Sequence, residues 1–145
     1  MRVDGTDERI IGCLLRDARS PYAEIGALVG LSAPAVKRRV DRLRAEGLIT
    51  GFTALVDPAA LGWATEAFVE LYCTGRTSPD EIRAAMQDTS EVVAAYTVTG
   101  EADALLHVRA RDTTHLEEVL ERVRTAPFVQ QTKSVLVLTR LIERR

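Results

Sequence analysis

The sequence predicts an α+β protein in two parts: three short helices, then strands and helices in the order βαββαβ. Two observations carry this. Through residue 47 the apolar residues recur every three or four positions, the helical period. From Trp63 onward, stretches that alternate at period two are interleaved with helical ones. Residues 48–62, with Gly51, Pro58 and Gly62, mark the boundary. The domains expected are 1–50, a wing or linker over 51–62, and 63–145. The 145 residues suffice for one domain or two small ones.

In the first part, Ile10, Ile11, Leu14 and Leu15 predict a helix over 5–17, capped by Thr6 or Asp4, with Asp7 and Glu8 complementing the macrodipole. Ser20-Pro21 predicts a second start, with Ser20 as the cap and Pro21 as the first helical residue. That helix, Tyr22–Val29, would bury Tyr22, Ile25, Leu28 and Val29, and Gly30 ends it. Ser32 caps a third helix, Ser32–Glu46, with Val36, Val40 and Leu43 as its buried stripe and Gly47 as its stop. Ile49–Val56 reads as extended chain with a turn near Gly51.

In the second part, Trp63–Cys73 is a strand. Ser78-Pro79-Asp80-Glu81 is a capping box that opens a helix with Ile82, Ala85 and Met86 inward. Val92–Thr99 and Ala104–Ala110 are antiparallel strands joined through Gly100–Asp103. Thr113, Leu116, Val119, Leu120 and Val123 form a helix stripe, and Val129–Leu141 is the last strand. The order βαββαβ is the ferredoxin-like plan. Two helices cover only one face of such a sheet. Each strand has one apolar face (Ala67, Val69, Leu71; Ala104, Leu106, Val108) and one mixed face (Phe68, Glu70, Tyr72; Leu105, His107, Arg109). Helices should take the first, and a second copy of the chain the other, since Phe68, Tyr72 and Leu105 would otherwise form an exposed patch.

Composition narrows the function. At 46% hydrophobic and 28% charged the chain is globular in character. No apolar run approaches the ~18 residues of a membrane span, and the N-terminal residues lack the apolar stretch of a signal peptide. Cys13 and Cys73 have no partner spacing, which fits a cytoplasmic setting. They read as small core residues. Two histidines and two distant cysteines do not make a zinc site, so neither metal nor cofactor is expected. His107 reads as an interface residue, His115 as solvent-facing and Trp63 as a packing anchor.

The net charge of −2 hides an asymmetry: residues 1–50 carry +2 and residues 51–145 carry −4. Lys37, Arg38, Arg39, Arg42 and Arg44 crowd one helix against a single Asp41. A helix–turn–helix reads base edges with the start of its second helix. On that reading Lys37 and Arg38 face bases. Arg39 and Arg42 suit phosphates or an intradomain ion pair. Ser32, beside Ala33 and Pro34 at the helix start, can bond a phosphate. A charged face that merely meets solvent is the alternative.

The segments Asp7–Ile11, Asp17–Arg19, Tyr22–Ile25, Val29–Ser32, Val36–Val40, Leu43–Ile49, Gly51–Ala54, Asp57–Gly62, Val98–Asp103 and Thr132–Val135 together resemble the Lrp/AsnC (feast/famine) family of regulators over nearly the whole chain. The resemblance implies a winged helix–turn–helix that binds double-stranded DNA upstream of genes for amino-acid metabolism or transport. It also implies a βαββαβ domain that binds a small effector, usually an amino acid, and dimers assembling to octamers. The family's Gly-x-x-Asp loop matches Gly100, Glu101, Ala102 and Asp103. With Tyr96 and Thr99 before the loop, and Gln130, Thr132 and Ser134 on the last strand, these are the effector residues implied. A turn with free N–H groups can hold a carboxylate, and Asp103 can face an ammonium. The family usually has an aromatic residue where Ala102 stands and Thr where Ser134 stands. These departures leave a bulkier amino acid, or no effector, as alternatives.

No nucleophile–base pair, paired acids or phosphate-binding glycine motif stands out, so catalysis is not expected. The competing reading is a nucleoid-associated architectural protein with little sequence specificity and no effector. A steep salt dependence with a poor specificity ratio would mark it.

Overall fold

The computed structural model describes residues 3–143, which form two compact units divided between Leu55 and Val56. The division falls inside the predicted linker.

The first unit holds α1 (Gly5–Arg16), α2 (Tyr22–Val29) and α3 (Ala33–Ala45). Asp4 caps α1 in a reciprocal box with Asp7, its side chain accepting from the Thr6 and Asp7 N–H groups. Ser20 does not cap α2. Pro21 takes that place, with no side-chain bond, because the chain enters one residue later than Ser-Pro spacing predicts. Ser32 caps α3 through the Ala35 N–H. Ile10, Cys13, Leu14, Ile25, Val29, Val36 and Val40 form the core.

Leu15 and Leu28, expected inside, are exposed. At about 100° per residue, Leu28 falls well off the line through Ile25 and Val29. The buried face of α2 instead turns toward Gly26. A Cβ on Gly26 would stand 2.3 Å from the Leu31 carbonyl oxygen, so only glycine lets the α2–α3 turn close. The expected wing has no strands: residues 50–57 carry no regular secondary structure. Gly51 leaves only two residues on its first arm, and a lone two-stranded hairpin is marginal in water.

The second unit opens with a 3-10 turn (Ala59–Leu61), followed by β1 (Thr65–Cys73), α4 (Pro79–Met86), β2 (Val92–Thr97), β3 (Ala104–Ala110), α5 (Thr113–Arg124) and β4 (Val129–Leu136). The sheet order is β2-β3-β1-β4 and every pair is antiparallel. Ala67, Val69, Leu71, Ala104, Leu106, Val108 and Ala110 are buried with Ile82, Met86, Leu116, Val119 and Val123 of the helices. The mixed face is more open: Phe68 is exposed, and Glu70, Tyr72, Leu105, His107 and Arg109 are half-buried.

Three strands are shorter than predicted: β1 begins at Thr65, not Trp63, and β2 and β4 end early. β4 ends at Leu136, not Leu141, because β1 is its only neighbour among the described residues. The Val137 N–H makes a last bond to the Glu66 carbonyl, and β1 begins at Thr65. β2 ends at Thr97, opposite Ala104, and Val98–Asp103 form the connecting bend with Gly100 at φ 109°.

His115 is buried, against the sequence expectation. Asp112 caps α5 through the His115 N–H at 2.8 Å. The ring then turns inward: Nδ1 accepts from the Arg111 N–H at 3.1 Å, and Nε2 lies 3.0 Å from Glu91 Oε1. Trp63 stacks on the same ring, so its packing role is in place. His107 pairs with Glu66 and stacks on Phe68. Cys13 is buried and Cys73 half-buried, both as free thiols.

Candidate functional site

The apolar stripe of α3 fixes which way its basic residues point. Val36, Val40 and Leu43 are buried. Arg38 sits two residues from both Val36 and Val40, roughly 160–200° around the helix from them, and so faces outward. It makes no ion pair or hydrogen bond within the described residues. Lys37 bonds Asp41 one turn on, at 2.5 Å, with both side chains well exposed. Such exposed pairs exchange readily with other partners. Arg44 lies over the Phe52 ring at 5.7 Å. Ser32, Ala33 and Pro34 form the start of the helix, at the positive end of the macrodipole. Pro34 has no N–H and Ser32 Oγ takes that of Ala35, which leaves the Ala33 N–H to meet an anion.

Arg39 and Arg42 do something else. Arg39 Nη1 donates to Asp4 Oδ2 at 2.7 Å and to Asp7 Oδ1 at 2.8 Å; Arg42 Nη2 donates to Asp7 Oδ2 at 2.5 Å. Of the two roles open to them in sequence, they occupy the intradomain ion pair. Burial pushes the Asp7 carboxyl up, but bonds from Arg39, the Asp4 N–H and Arg42 outweigh it and hold it below the usual carboxylate range. In sequence, Asp4 and Asp7 read only as capping and dipole residues. Their three-residue spacing, matched by Arg39 and Arg42, was the available signal.

In the second unit, Thr99, Gly100, Glu101 and Asp103 are exposed on the β2–β3 bend, and Ala102 is buried. Asp103 Oδ2 accepts the Cys73 N–H at 2.7 Å, and its own N–H bonds the Leu71 carbonyl at 2.9 Å. Tyr96 is exposed and lines a groove of about 330 Å³ between α4 and the edge strand β2, with Ile82, Arg83 and Met86. Thr132 sits opposite Leu71 on the far side of β1. Thr132 and Ser134, opposite Leu71 and Val69, therefore share the helix-covered side of β4, where Arg124 Nε bonds Thr132 Oγ1 at 3.1 Å. Gln130, expected beside them, falls at the register shift between the Tyr72–Gln131 and Cys73–Val129 pairs, which takes it out of their row. Within one subunit, β1 separates this row from the loop.

Two domain families match the chain: the AsnC-type helix-turn-helix domain over residues 3–44 and the Lrp/AsnC ligand binding domain over residues 66–145. The chain belongs to the Lrp/AsnC family of transcriptional regulators. This Lrp/AsnC protein is 55% identical over 143 residues to the HTH-type transcriptional regulator Rv2324 of Mycobacterium tuberculosis, covering 99% of its own length and 97% of the relative's. It is 29% identical to the regulatory protein AsnC of Escherichia coli, covering 98% and 94%. Among solved structures, the feast or famine regulatory protein Rv3291c of M. tuberculosis complexed with L-methionine superposes with a TM-score of 0.92 at 33% identity, over 99% of this chain and 97% of that one. A transcriptional regulator of Neisseria meningitidis, also in complex with L-Met, superposes with a TM-score of 0.90 at 26% identity, over 99% and 94%. The Lrp/AsnC fold thus runs through both units, a helix–turn–helix followed by a four-stranded antiparallel α+β domain. No helix of the described residues is long and apolar enough to cross a membrane, and no cluster of metal-ligating side chains occurs among them.

Proposed function

We propose that this Lrp/AsnC regulator reads double-stranded DNA sequence-specifically through the start and outward face of α3, and that an amino acid modulates it. In this reading residues 1–50 bind DNA, 51–62 link, and 63–145 bind effector and oligomerise. The observation that carries the proposal is Arg38, an unpaired guanidinium aimed away from the core on a capped helix. A bidentate arginine–guanine contact supplies about 1–3 kcal/mol of discrimination. Lys37, once released from Asp41, reaches a base edge or phosphate. The Ser32 hydroxyl and the Ala33 N–H meet a phosphate.

For the effector, Gly100–Asp103 supply N–H groups and a carboxylate, Tyr96 and Thr99 flank them, and Gln130, Thr132 and Ser134 supply hydrogen bonds. Because β1 lies between these groups in one subunit, the site is completed between subunits. The open face bearing Phe68, Tyr72 and Leu105 supports a homodimer, and contacts at the loops carry dimers to an octamer. Effector binding shifts the packing of dimers and with it the spacing of α3 helices, which must match half-sites about one helical turn apart or multiples of it. Methionine is the first effector to test, since two structural relatives are complexed with it. The role is regulation rather than catalysis, in the cytoplasm at the nucleoid, on genes of amino-acid metabolism or transport.

The test is in vitro selection of duplexes from a random library by the full chain, followed by affinity measurements with and without each amino acid at millimolar concentration. An enriched duplex bound at least 10³-fold more tightly than random sequence, with affinity or sedimentation shifted by an amino acid, is expected. Tight binding without enrichment or amino-acid response would make the chain an architectural protein instead.

A further inference from the structure

Asp7 is a carboxylate with no exposed side-chain surface, at the third position of α1. Its two oxygens serve three donors: Oδ1 takes Arg39 Nη1 at 2.8 Å, while Oδ2 takes Arg42 Nη2 at 2.5 Å and the Asp4 N–H at 3.2 Å. Asp4 Oδ2 holds Arg39 Nη1 a second time, at 2.7 Å. A buried acid is tolerated only when paired and fully hydrogen-bonded, and removing one partner of such a pair is costly. This acid is therefore a fixed point, and α3 is fastened to it at two positions three residues apart.

That fastening has two effects on the face α3 presents. It sets the rotation of α3 about its axis; slipping by one residue would turn Arg38 by about 100°. It also occupies two of the five basic side chains on α3, so the positive charge offered to DNA is left to Arg38 and Lys37 on the outward face and to Arg44 at the helix end. We infer that Asp7, with Asp4, is the positioning group for DNA reading: it withholds Arg39 and Arg42 from the phosphates and aims Arg38 at the bases. This rests on the proposal that α3 meets DNA. Asp7 touches no base in it; it acts through α3.

A residue needed only for folding and one that withholds charge give opposite salt signatures. The observed log K falls with log salt at about 0.9 per phosphate contact on duplex DNA. The experiment measures this slope for the full chain on a random-sequence duplex, and the preference for a duplex enriched by the wild type. In Asp7→Asn the freed guanidiniums reach phosphates. The slope steepens by about 1–2, and the preference for the enriched duplex drops at least tenfold. Either change without the other, or neither in a folded Asp7→Asn chain, overturns the inference.

Should Asp7→Asn fail to fold, Arg39→Gln and Arg42→Gln decide. Each is expected to keep the wild-type slope while losing preference. A slope shallower by about 0.9 in either makes that arginine a phosphate contact and overturns the inference, while leaving the DNA-reading proposal intact. Wild-type chain that binds neither duplex overturns both.

Discussion

The N–H of Cys73 donates to Oδ2 of Asp103 at 2.7 Å, where the register between β1 and β4 shifts, and the N–H of Asp103 bonds the Leu71 carbonyl at 2.9 Å. The carboxylate proposed to face an effector ammonium also satisfies a strand end left without a regular ladder partner. The two roles separate by substitution. Asp103→Asn keeps an oxygen for Cys73 but loses the charge. It should unfold in urea like the wild type, yet lose the thermal stabilisation by an amino acid, which at 100-fold over Kd amounts to roughly 2.7 kcal/mol. Asp103→Ala should lose that stabilisation and about 1–2 kcal/mol of intrinsic stability as well. Full retention of the amino-acid effect in Asp103→Asn would remove Asp103 from the effector site.

Glu91 makes the second unit sensitive to acid. It is buried, and burial pushes its carboxyl up. Bonds from Arg122 at 2.6 Å, from its own backbone and from His115 at 3.0 Å, with the charge of Arg122, bring it down to about 2. A carboxyl with a depressed folded-state pKa adds stability above its unfolded value and loses it as pH falls toward the folded one. The contribution, on the order of 2 kcal/mol, is thus whole above about pH 4.5 and fades toward pH 2. Glu91→Gln should be less stable than wild type at neutral pH, and the gap should close across that window. A gap in urea midpoint that stays constant from pH 6 to about 2.5 would refute the assignment.

The same cluster fixes a histidine tautomer. Nδ1 of His115 accepts the Arg111 N–H, so it carries no proton, and Nε2–H points at Glu91. Nitrogen-15 spectra of neutral His115 should show the Nε2–H form. The Nδ1–H form would mean that the Arg111 bond is not made. His115→Leu strands the Arg111 N–H and removes a donor from Glu91, which should cost about 1–3 kcal/mol.

The elements of both units were legible from periodicity and caps. Ser32, Ser78-Pro79 and the alternation through Ala104–Ala110 each admit one local reading, and the structure follows it. Failures came where a distant residue decides. Leu28 matches a helical stripe, but the close approach of Leu31 to Gly26 rotates α2. Nothing near His115 in sequence announces Glu91, 24 residues away, and Asp7, 32 residues from Arg39, is announced only by the three-residue spacing that Asp4 and Asp7 share with Arg39 and Arg42. The length of β4 depends on where β1 begins, not on the apolar run Val135–Leu141. For the candidate site, the basic residues of α3 were visible, but not which of them are already paired. The two segments proposed for the effector were visible, but not that β1 lies between them.

One substitution at two glycines should have opposite signs. Gly12 and Gly26 both lie inside helices, where alanine is worth up to about 1 kcal/mol over glycine. A Cβ on Gly12 meets nothing within 4 Å, so Gly12→Ala should stabilise by about that amount. A Cβ on Gly26 would stand 2.3 Å from the Leu31 oxygen, a backbone atom that no rotamer change can move. The turn is further tied back by the Gly30 and Leu31 N–H groups, both bonded to the Gly26 carbonyl at 2.8 and 2.9 Å. Relieving the clash strains those bonds, and overpacking of this kind costs about 1–3 kcal/mol, more than the helical gain. Gly26→Ala should therefore unfold at lower urea. Because Ser32 and the start of α3 follow directly on that turn, it should also weaken binding to an enriched duplex more than to random sequence. Equal stability of Gly26→Ala and wild type would show that the turn opens without cost, and α3 would then not be held in place by the α2–α3 approach.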